Sequence, residues 1–166
     1  FSDTLLLHIG PECVQAPYLI VPPTIPGRIQ AEYYDLGGPG VAYQELSPQN
    51  TGNGIRASEG VDIGTTADIG GGYQVENMTF REWTEYTVRV AQSGRYRMVA
   101  RVAATRDGQL RLSVDGAEVS TPLIYRSTNS TTFFRNATLD DIHLEAGVST
   151  LRIMYDAFGA YINWFE

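Results

Sequence analysis

A chain of 166 residues with 43% hydrophobic and 19% charged side chains holds enough apolar material for one packed domain and too much for general disorder. No apolar run approaches the roughly 18 residues that a membrane-spanning helix needs, and the single cysteine, Cys13, excludes an internal disulfide framework or a cysteine-rich zinc site. The net charge is -7, and all twelve basic residues are arginine. That balance lacks the basic excess of a nucleic-acid binder.

The first 27 residues stand apart from the rest. They carry Pro11, Pro17, Pro22, Pro23 and Pro26, and Val21–Gly27 reads as a semi-rigid linker, because proline fixes φ and donates no backbone hydrogen bond. Residues 5–9, Leu-Leu-Leu-His-Ile, suit one strand, either the tail of a preceding domain or a segment packed on the main body. The start lacks a basic n-region and a small-residue cleavage site, and so reads as an internal piece of a longer chain. Residues 1–27 are therefore assigned as a linker or tail, and 28–166 as the domain.

From Arg28 onward, short alternating runs are separated by Gly and Asn turns. Strands are expected at 28–33, 60–63, 83–90, 96–102, 109–114, 142–144, 148–155 and 160–165. In 83–90, Tyr86, Val88 and Val90 share one face, while Glu85, Thr87 and Arg89 share the other. In 96–102, Tyr96, Met98, Ala100 and Val102 share a face. Asp115-Gly116 and Ala146-Gly147 are hairpin signals. No amphipathic run of helical length follows residue 28. The spacing predicts an all-β protein, an antiparallel sandwich or barrel.

Catalytic chemistry is sparse. His8 and His143 have no nucleophile at triad spacing, and ordinary surface positions account for them better. Cys13 sits among prolines. GxSxG, Walker A, HExxH and Rossmann patterns are absent, and Gly70-Gly71-Gly72 opens no helix. Glu82 with Glu85, or Asp140 with Asp141, resembles an acid pair only in the way that any two surface acids do. Sequons stand at Asn77, Asn129 and Asn136. Gln30 and Glu32, two apart on the expected first strand, and Asn163 on the last strand offer oxygens for a calcium ion.

A resemblance adds to this reading. Ile29-Gln-Ala-Glu-Tyr-Tyr-Asp35, Arg56-Ala-Ser-Glu-Gly-Val-Asp-Ile63, Gly70-Gly-Gly-Tyr-Gln-Val75 with Glu82-Trp-Thr-Glu-Tyr-Thr-Val88, Ser93-Gly-Arg-Tyr96, Leu144–Ile153 and Ile162-Asn-Trp-Phe165 occur in the order of the motifs of family 6 carbohydrate-binding modules. Together they cover nearly all of 28–166. The chain resembles that family, which implies a jelly-roll β-sandwich without catalysis of its own. It implies a polysaccharide or oligosaccharide ligand, a covalently linked glycoside hydrolase and secretion from the cell. It implies a structural calcium held by Glu32, by Gln30 in a position often held by Glu, by Asn163 and by a carbonyl near Arg56.

The family's sugar clamp transfers to Asn77 at the first aromatic position, to a second position near Thr131 flanked by Phe133 and Phe134, and to Tyr161 at the position of an Asn. Tyr125 and Phe133 are candidates for redistributed aromatics. Trp83 stands where some members use a second site on the concave sheet face. Adjacent Phe133 and Phe134 point opposite ways in a strand, so at most one is buried. The subgroup pattern EGVDI inclines the specificity toward β-1,3-glucan or an algal polysaccharide such as agarose. Two rivals are a structural spacer with a non-functional cleft and a fragment of an enzyme whose site needs other residues.

Overall fold

The expected alternation is realised in the computed structural model, which describes residues 14–166. The expected strand at 5–9, with His8 and Cys13, lies outside the described residues. In chain order the strands are β1 (Thr24–Ile25), β2 (Ile29–Gln30), β3 (Tyr43–Gln44), β4 (Ile63–Thr65), β5 (Tyr73–Thr79), β6 (Glu82–Val90), β7 (Gly94–Ala103), β8 (Gly108–Val114), β9 (Ala117–Glu118), β10 (Leu123–Tyr125), β11 (Arg135–Leu144), β12 (Gly147–Asp156) and β13 (Phe158–Phe165). One sheet runs β1-β6-β12-β8-β10, with β3 on β6 and β9 on β8. The other runs β11-β7-β13-β5-β4, with β2 on β13. All pairings are antiparallel except β1 with β6. The fold is an all-β sandwich.

The core lies between the two inner faces. Tyr86, Val88 and Val90 of β6 are buried together with Ile153 of β12 and Leu112 of β8. They meet Ala100 and Val102 of β7, Ile162 of β13 and Val75 of β5. Each fully buried Val, Leu or Ile contributes about 1.5–3 kcal/mol. The tyrosine hydroxyls at the core are satisfied locally. Thr84 Oγ1 lies 3.0 Å from the hydroxyls of both Tyr86 and Tyr155, and Tyr86 donates to the Ala31 carbonyl at 2.9 Å.

Three expectations change. The opening strand ends at Gln30, and residues Ala31–Tyr33 form a 3-10 turn. Tyr73–Thr79 is a strand that the sequence reading did not assign. β11 begins at Arg135, seven residues before the expected 142–144. Its polar outer residues and a register shift between Leu139 and Ile142 break the alternation.

From residue 14, the segment read as a linker lies along the sandwich. Ala16 and Leu36 exchange backbone hydrogen bonds at 3.1 and 2.7 Å. The carbonyls of Pro23 and Ile25 accept from Arg89 and Ala91 at the end of β6. A proline-rich strand can accept but barely donate, so β1 closes this edge of the sheet and offers little to a further strand.

Four crossings between the sheets, β5–β6, β7–β8, β10–β11 and β12–β13, turn at one pole of the sandwich, as the registers of β13 with β5 and β7 and of β12 with β6 and β8 require. The β6–β7 and β11–β12 turns and Glu166 lie at the other.

A pair of acids, half-buried Glu45 and buried Glu82, sits beside β3. The Glu45 carboxyl is pushed up to about 8 by burial and by a hydrogen bond to Glu82, against the pull of the Ser47 and Leu46 amides. The folded state therefore keeps a proton that the unfolded state releases above the ordinary value of 4.5. This contribution to stability is complete below 4.5 and is lost as pH rises through about 8. Thermal unfolding is expected to show Tm falling from pH 5 to pH 8, with a shallower fall in Glu45→Gln. Equal slopes for the two proteins would refute the shared proton.

Candidate functional site

The antiparallel pairing of β5 with the start of β13 carries a β-bulge. Ala160 pairs with Met78 and Ile162 with Val75, so Glu76 and Asn77 together oppose Tyr161. Asn77 adopts φ 54°, a left-handed conformation that asparagine tolerates better than most residues. The bulge turns its amide toward Tyr161, whose hydroxyl donates to Asn77 Oδ1 at 2.9 Å. Asn77 Nδ2 donates in turn to Asp62 Oδ2 at 3.4 Å, and Asp62 Oδ1 is held by the Thr51 amide and hydroxyl at 2.5 and 2.8 Å. Gly64 gives the room: a Cβ there would lie 2.0 Å from Glu76 Oε1. Burial, and then the charges of Glu76 and Asp62, hold the Tyr161 hydroxyl above its ordinary value. It stays a neutral donor at the rim.

Across β7 from Tyr161 lies the 126–134 loop. Tyr161 pairs with Ala103, and Arg135 with Val102, so Phe133 and Tyr161 flank the end of β7 from opposite sides. The strand spacing puts their backbones about 10 Å apart. Phe133 is 54% exposed, and Phe134 is buried beside it, as their alternation requires. The loop is tied down at its base. Thr128 donates its backbone N–H to the Ala104 carbonyl at 2.8 Å, and Asp107 accepts from the Ser127 amide at 2.8 Å. A half-buried Tyr161 bonded to an exposed Asn77, and an exposed phenyl ring, thus stand on rigid strand ends. Aromatic faces beside a few fixed polar groups are the physical requirement for holding a sugar ring.

Two candidate aromatics are corrected. Tyr125 is 3% exposed, because Leu123 and Tyr125 share the inward face of β10 and Gly108 makes room for the ring. It is a core residue. Trp83 lies on the outer face of the first sheet under the Arg152 guanidinium, 3.9 Å from the ring centroid. Arg152 Nε in turn donates to Glu85 at 2.6 Å. That roof leaves Trp83 buried and supports a scaffold role.

Of the four expected calcium ligands, Gln30 and Asn163 lie on paired strands, β2 and β13, where Gln30 stands opposite Trp164. The 3-10 turn breaks the common face of Gln30 and Glu32. Gln30 instead lines a small cavity of about 120 Å³ beneath Pro17–Leu19. Asn163 Nδ2 donates to Asp68 at 2.9 Å, inside an outer-face cluster in which Arg101 also grips Asp68 with two bonds of 2.8 and 2.7 Å. The Arg56 carbonyl accepts from the Glu59 amide at 3.0 Å. No three His, Cys, Asp or Glu side chains gather at metal-binding distance among the described residues. Glu32 alone shows a cation's signature. It is buried, its Oε2 has no partner, and burial pushes its carboxyl up to about 7.

The cavity of about 470 Å³ between the sheets lies at the opposite pole, among Met98, Leu112, Ile142, Leu144, Leu151 and Ile153. Its walls are mostly apolar, with Tyr96, Arg97 and Glu166 among the few polar groups, so the rim at the loop pole is the better site.

Three comparisons bear on this rim. A family model described as carbohydrate binding module (family 35) matches residues 57–166. The fold is similar to the module CBM6cm-2 from Cellvibrio mixtus lichenase 5A in complex with cellotriose, at 25% identity, TM-score 0.63, and 84% of this chain against 93% of that one. It is similar to CsCBM6-3 from Clostridium stercorarium in complex with cellobiose, at 19% identity, TM-score 0.64, and 87% of this chain against 95% of that one. A β-1,3-glucan binding family 6 module from Bacillus halodurans is likewise similar, at 18% identity, TM-score 0.63, and 87% against 97%. A search of curated proteins gives no match. The motif resemblance to family 6 thus agrees with the solved structures, and the family model places 57–166 with family 35.

Proposed function

The chain belongs to the carbohydrate-binding modules of family 35, and on that premise we propose that it is a non-catalytic module that holds a covalently attached glycoside hydrolase on an extracellular polysaccharide. The glycan lies across the loop pole. One observation carries this reading: Tyr161 and Asn77, placed by motif counting at the two positions that usually hold an Asn and an aromatic ring, meet at 2.9 Å on the exposed rim. The ring and the amide have exchanged positions, and together they still supply one stacking face and one hydrogen-bonding group. Phe133 supplies a second face. β-1,3-glucan and agarose are the first polysaccharides to try, since a β-1,3-glucan binder stands among the similar structures.

Affinity electrophoresis in gels containing laminarin, agarose, xylan, soluble cellulose or dextran tests the reading. Retardation by at least one polysaccharide is expected. Unchanged migration in every gel would favour the spacer with a dead cleft.

The proposal includes a structural calcium at Glu32, supported by that residue's buried and unpartnered oxygen. A carboxylate oxygen is a suitable hard ligand, and main-chain carbonyls near the 3-10 turn are the natural complement. Calcium is expected to raise Tm of the wild-type chain at pH 7.5 and EDTA to lower it. Glu32→Gln should remove this response. The same calcium response in both proteins would place the ion elsewhere.

A further inference from the structure

β7 is longer than one of the two strands beside it. β11 pairs with it from Gly94 to Val102. On its other side β13 pairs only with Ala100, Val102 and Ala103, and Glu166 then exchanges two backbone hydrogen bonds with Val99, at 2.6 and 2.8 Å. The N–H and C=O groups of an antiparallel strand point to its two neighbours alternately, residue by residue. Val99 turns both of its groups toward Glu166. Arg97 and Arg95 therefore turn theirs to the same side, where no strand stands next to them among the described residues.

The side chains mark the same gap. Tyr96, Met98, Ala100 and Val102 share the inner face of β7. Ala100 and Val102, where β13 runs alongside, are 0% and 2% exposed, whereas Tyr96 and Met98 are only partly buried. The cavity of about 470 Å³ lies at this place, between Met98 and the strap residues Ile25 and Pro26, with Ile142, Leu144 and Ile153 among its walls. It is roughly three times the size of an apolar cavity that takes up benzene. Unpaired backbone groups along an apolar trough suit one kind of occupant. That occupant is an extended segment with apolar side chains at alternate positions.

The sequence holds such a segment outside the described residues. Residues 5–9 read Leu-Leu-Leu-His-Ile, and in an extended chain Leu5, Leu7 and Ile9 fall on one face. No Asp, Glu or Arg stands among them, so the trough would desolvate no obligatory charge. They are tethered close by. Ala16 is bridged to Leu36 beside β6, and the two sheets of a sandwich lie about 10 Å apart. The nine residues from Val14 back to Leu5 extend to about 30 Å. We propose that residues 5–9 add a strand to β7 between it and the strap, bonding the backbone of Arg95 and Arg97 and setting Leu5, Leu7 and Ile9 into the cavity. The early part of the chain is then mounted at the pole opposite Tyr161 and leaves the rim uncovered.

Amide hydrogen exchange of the full chain, followed residue by residue, reads the slot directly. In the wild type the Arg95 and Arg97 amides are expected to exchange at least about tenfold more slowly than in Leu7→Asp. Leu7→Asp places a charge on the inserted face, so it should release both amides and lower Tm by several degrees. Leu6→Asp alters the opposite face and should do neither. Size-exclusion chromatography of the wild type should give a monomer. Fast exchange of both amides in the wild type would overturn the inference without any variant. Protection that survives Leu7→Asp would overturn it as well. Protection found only in a dimer, and lost on dilution, would assign the strand to a second copy and overturn the intramolecular docking. Retardation by polysaccharide should be equal in the wild type and Leu7→Asp, so the carbohydrate-binding role stands or falls separately.

Discussion

Replacing Arg56 by alanine is expected to destabilise the sandwich by about 3–5 kcal/mol, the range for leaving a buried ionic partner without its mate. The Arg56 side chain is only 3% exposed. Its guanidinium donates to the main-chain carbonyl of Tyr34, to that of Asp35 at 2.8 Å, and to both Glu59 carboxylate oxygens at 3.0 and 2.9 Å. The same group packs over the Tyr34 ring at 3.4 Å and the Tyr18 ring at 4.7 Å. One planar fork thus fastens the crossover after β2, the 56–59 turn and the N-terminal strap. Truncation leaves the carbonyls of Glu32, Tyr34 and Asp35 and a carboxylate to be satisfied by water that has little room to enter. For a domain of this size the loss corresponds to a Tm fall on the order of 10 °C. Arg56→Lys should recover little, since an ammonium cannot span the carbonyls and the carboxylate together. Urea unfolding of the three proteins measures the effect. A loss below about 1 kcal/mol in Arg56→Ala would mean that the fork is peripheral.

Arg56 also shows where the sequence was readable. The stretch Arg56–Ile63 stood out as a motif, and its conspicuous residues are Arg56 and Glu59, which bond each other three positions apart. Their spacing is visible in the sequence, but their partners are not, because Tyr34 and Asp35 lie more than 20 positions upstream. The longer strands were legible for the opposite reason. In β6, β7 and β12 one face meets the core throughout, so local alternation carries the whole signal. Where a bulge intervenes, as at Asn77 in β5 or between Leu139 and Ile142 in β11, the period slips and the signal fades.

The site divides in the same way. Counting from motifs pointed to Asn77 and Tyr161, which the structure brings within hydrogen-bonding distance, since strand ends in a common fold keep their distance from the motifs that flank them. Residue type suggested Tyr125 and a family position suggested Trp83, and neither reports burial. The pattern Leu123-Ile124-Tyr125 did hold a clue, because Tyr125 shares a face with an apolar residue whose only destination is the core.

Tyr161→Ala is expected to weaken binding to whichever polysaccharide the wild-type chain retains by about tenfold to thirtyfold, the loss of about 2 kcal/mol typical of a central aromatic contact. The ring provides the area, and the hydroxyl contributes less. Tyr161→Phe keeps the stacking face and frees the Asn77 carbonyl to accept a sugar hydroxyl in place of the phenol at 2.9 Å. It should therefore stay within about threefold of wild type, since an exchanged hydrogen bond changes little when a new partner takes it up. Phe133→Ala should fall nearer to Tyr161→Ala. Tyr125→Phe separates this pole from the core: the ring is buried, so affinity should hold within error while stability drops slightly. Calorimetry gives the affinities, and thermal unfolding gives the stabilities. If Tyr161→Ala and Phe133→Ala each bind as tightly as the wild type, the glycan does not rest on this pole. The exposed rings would then be surface of a spacer, and the sugar-binding face would have to be sought elsewhere on the sandwich.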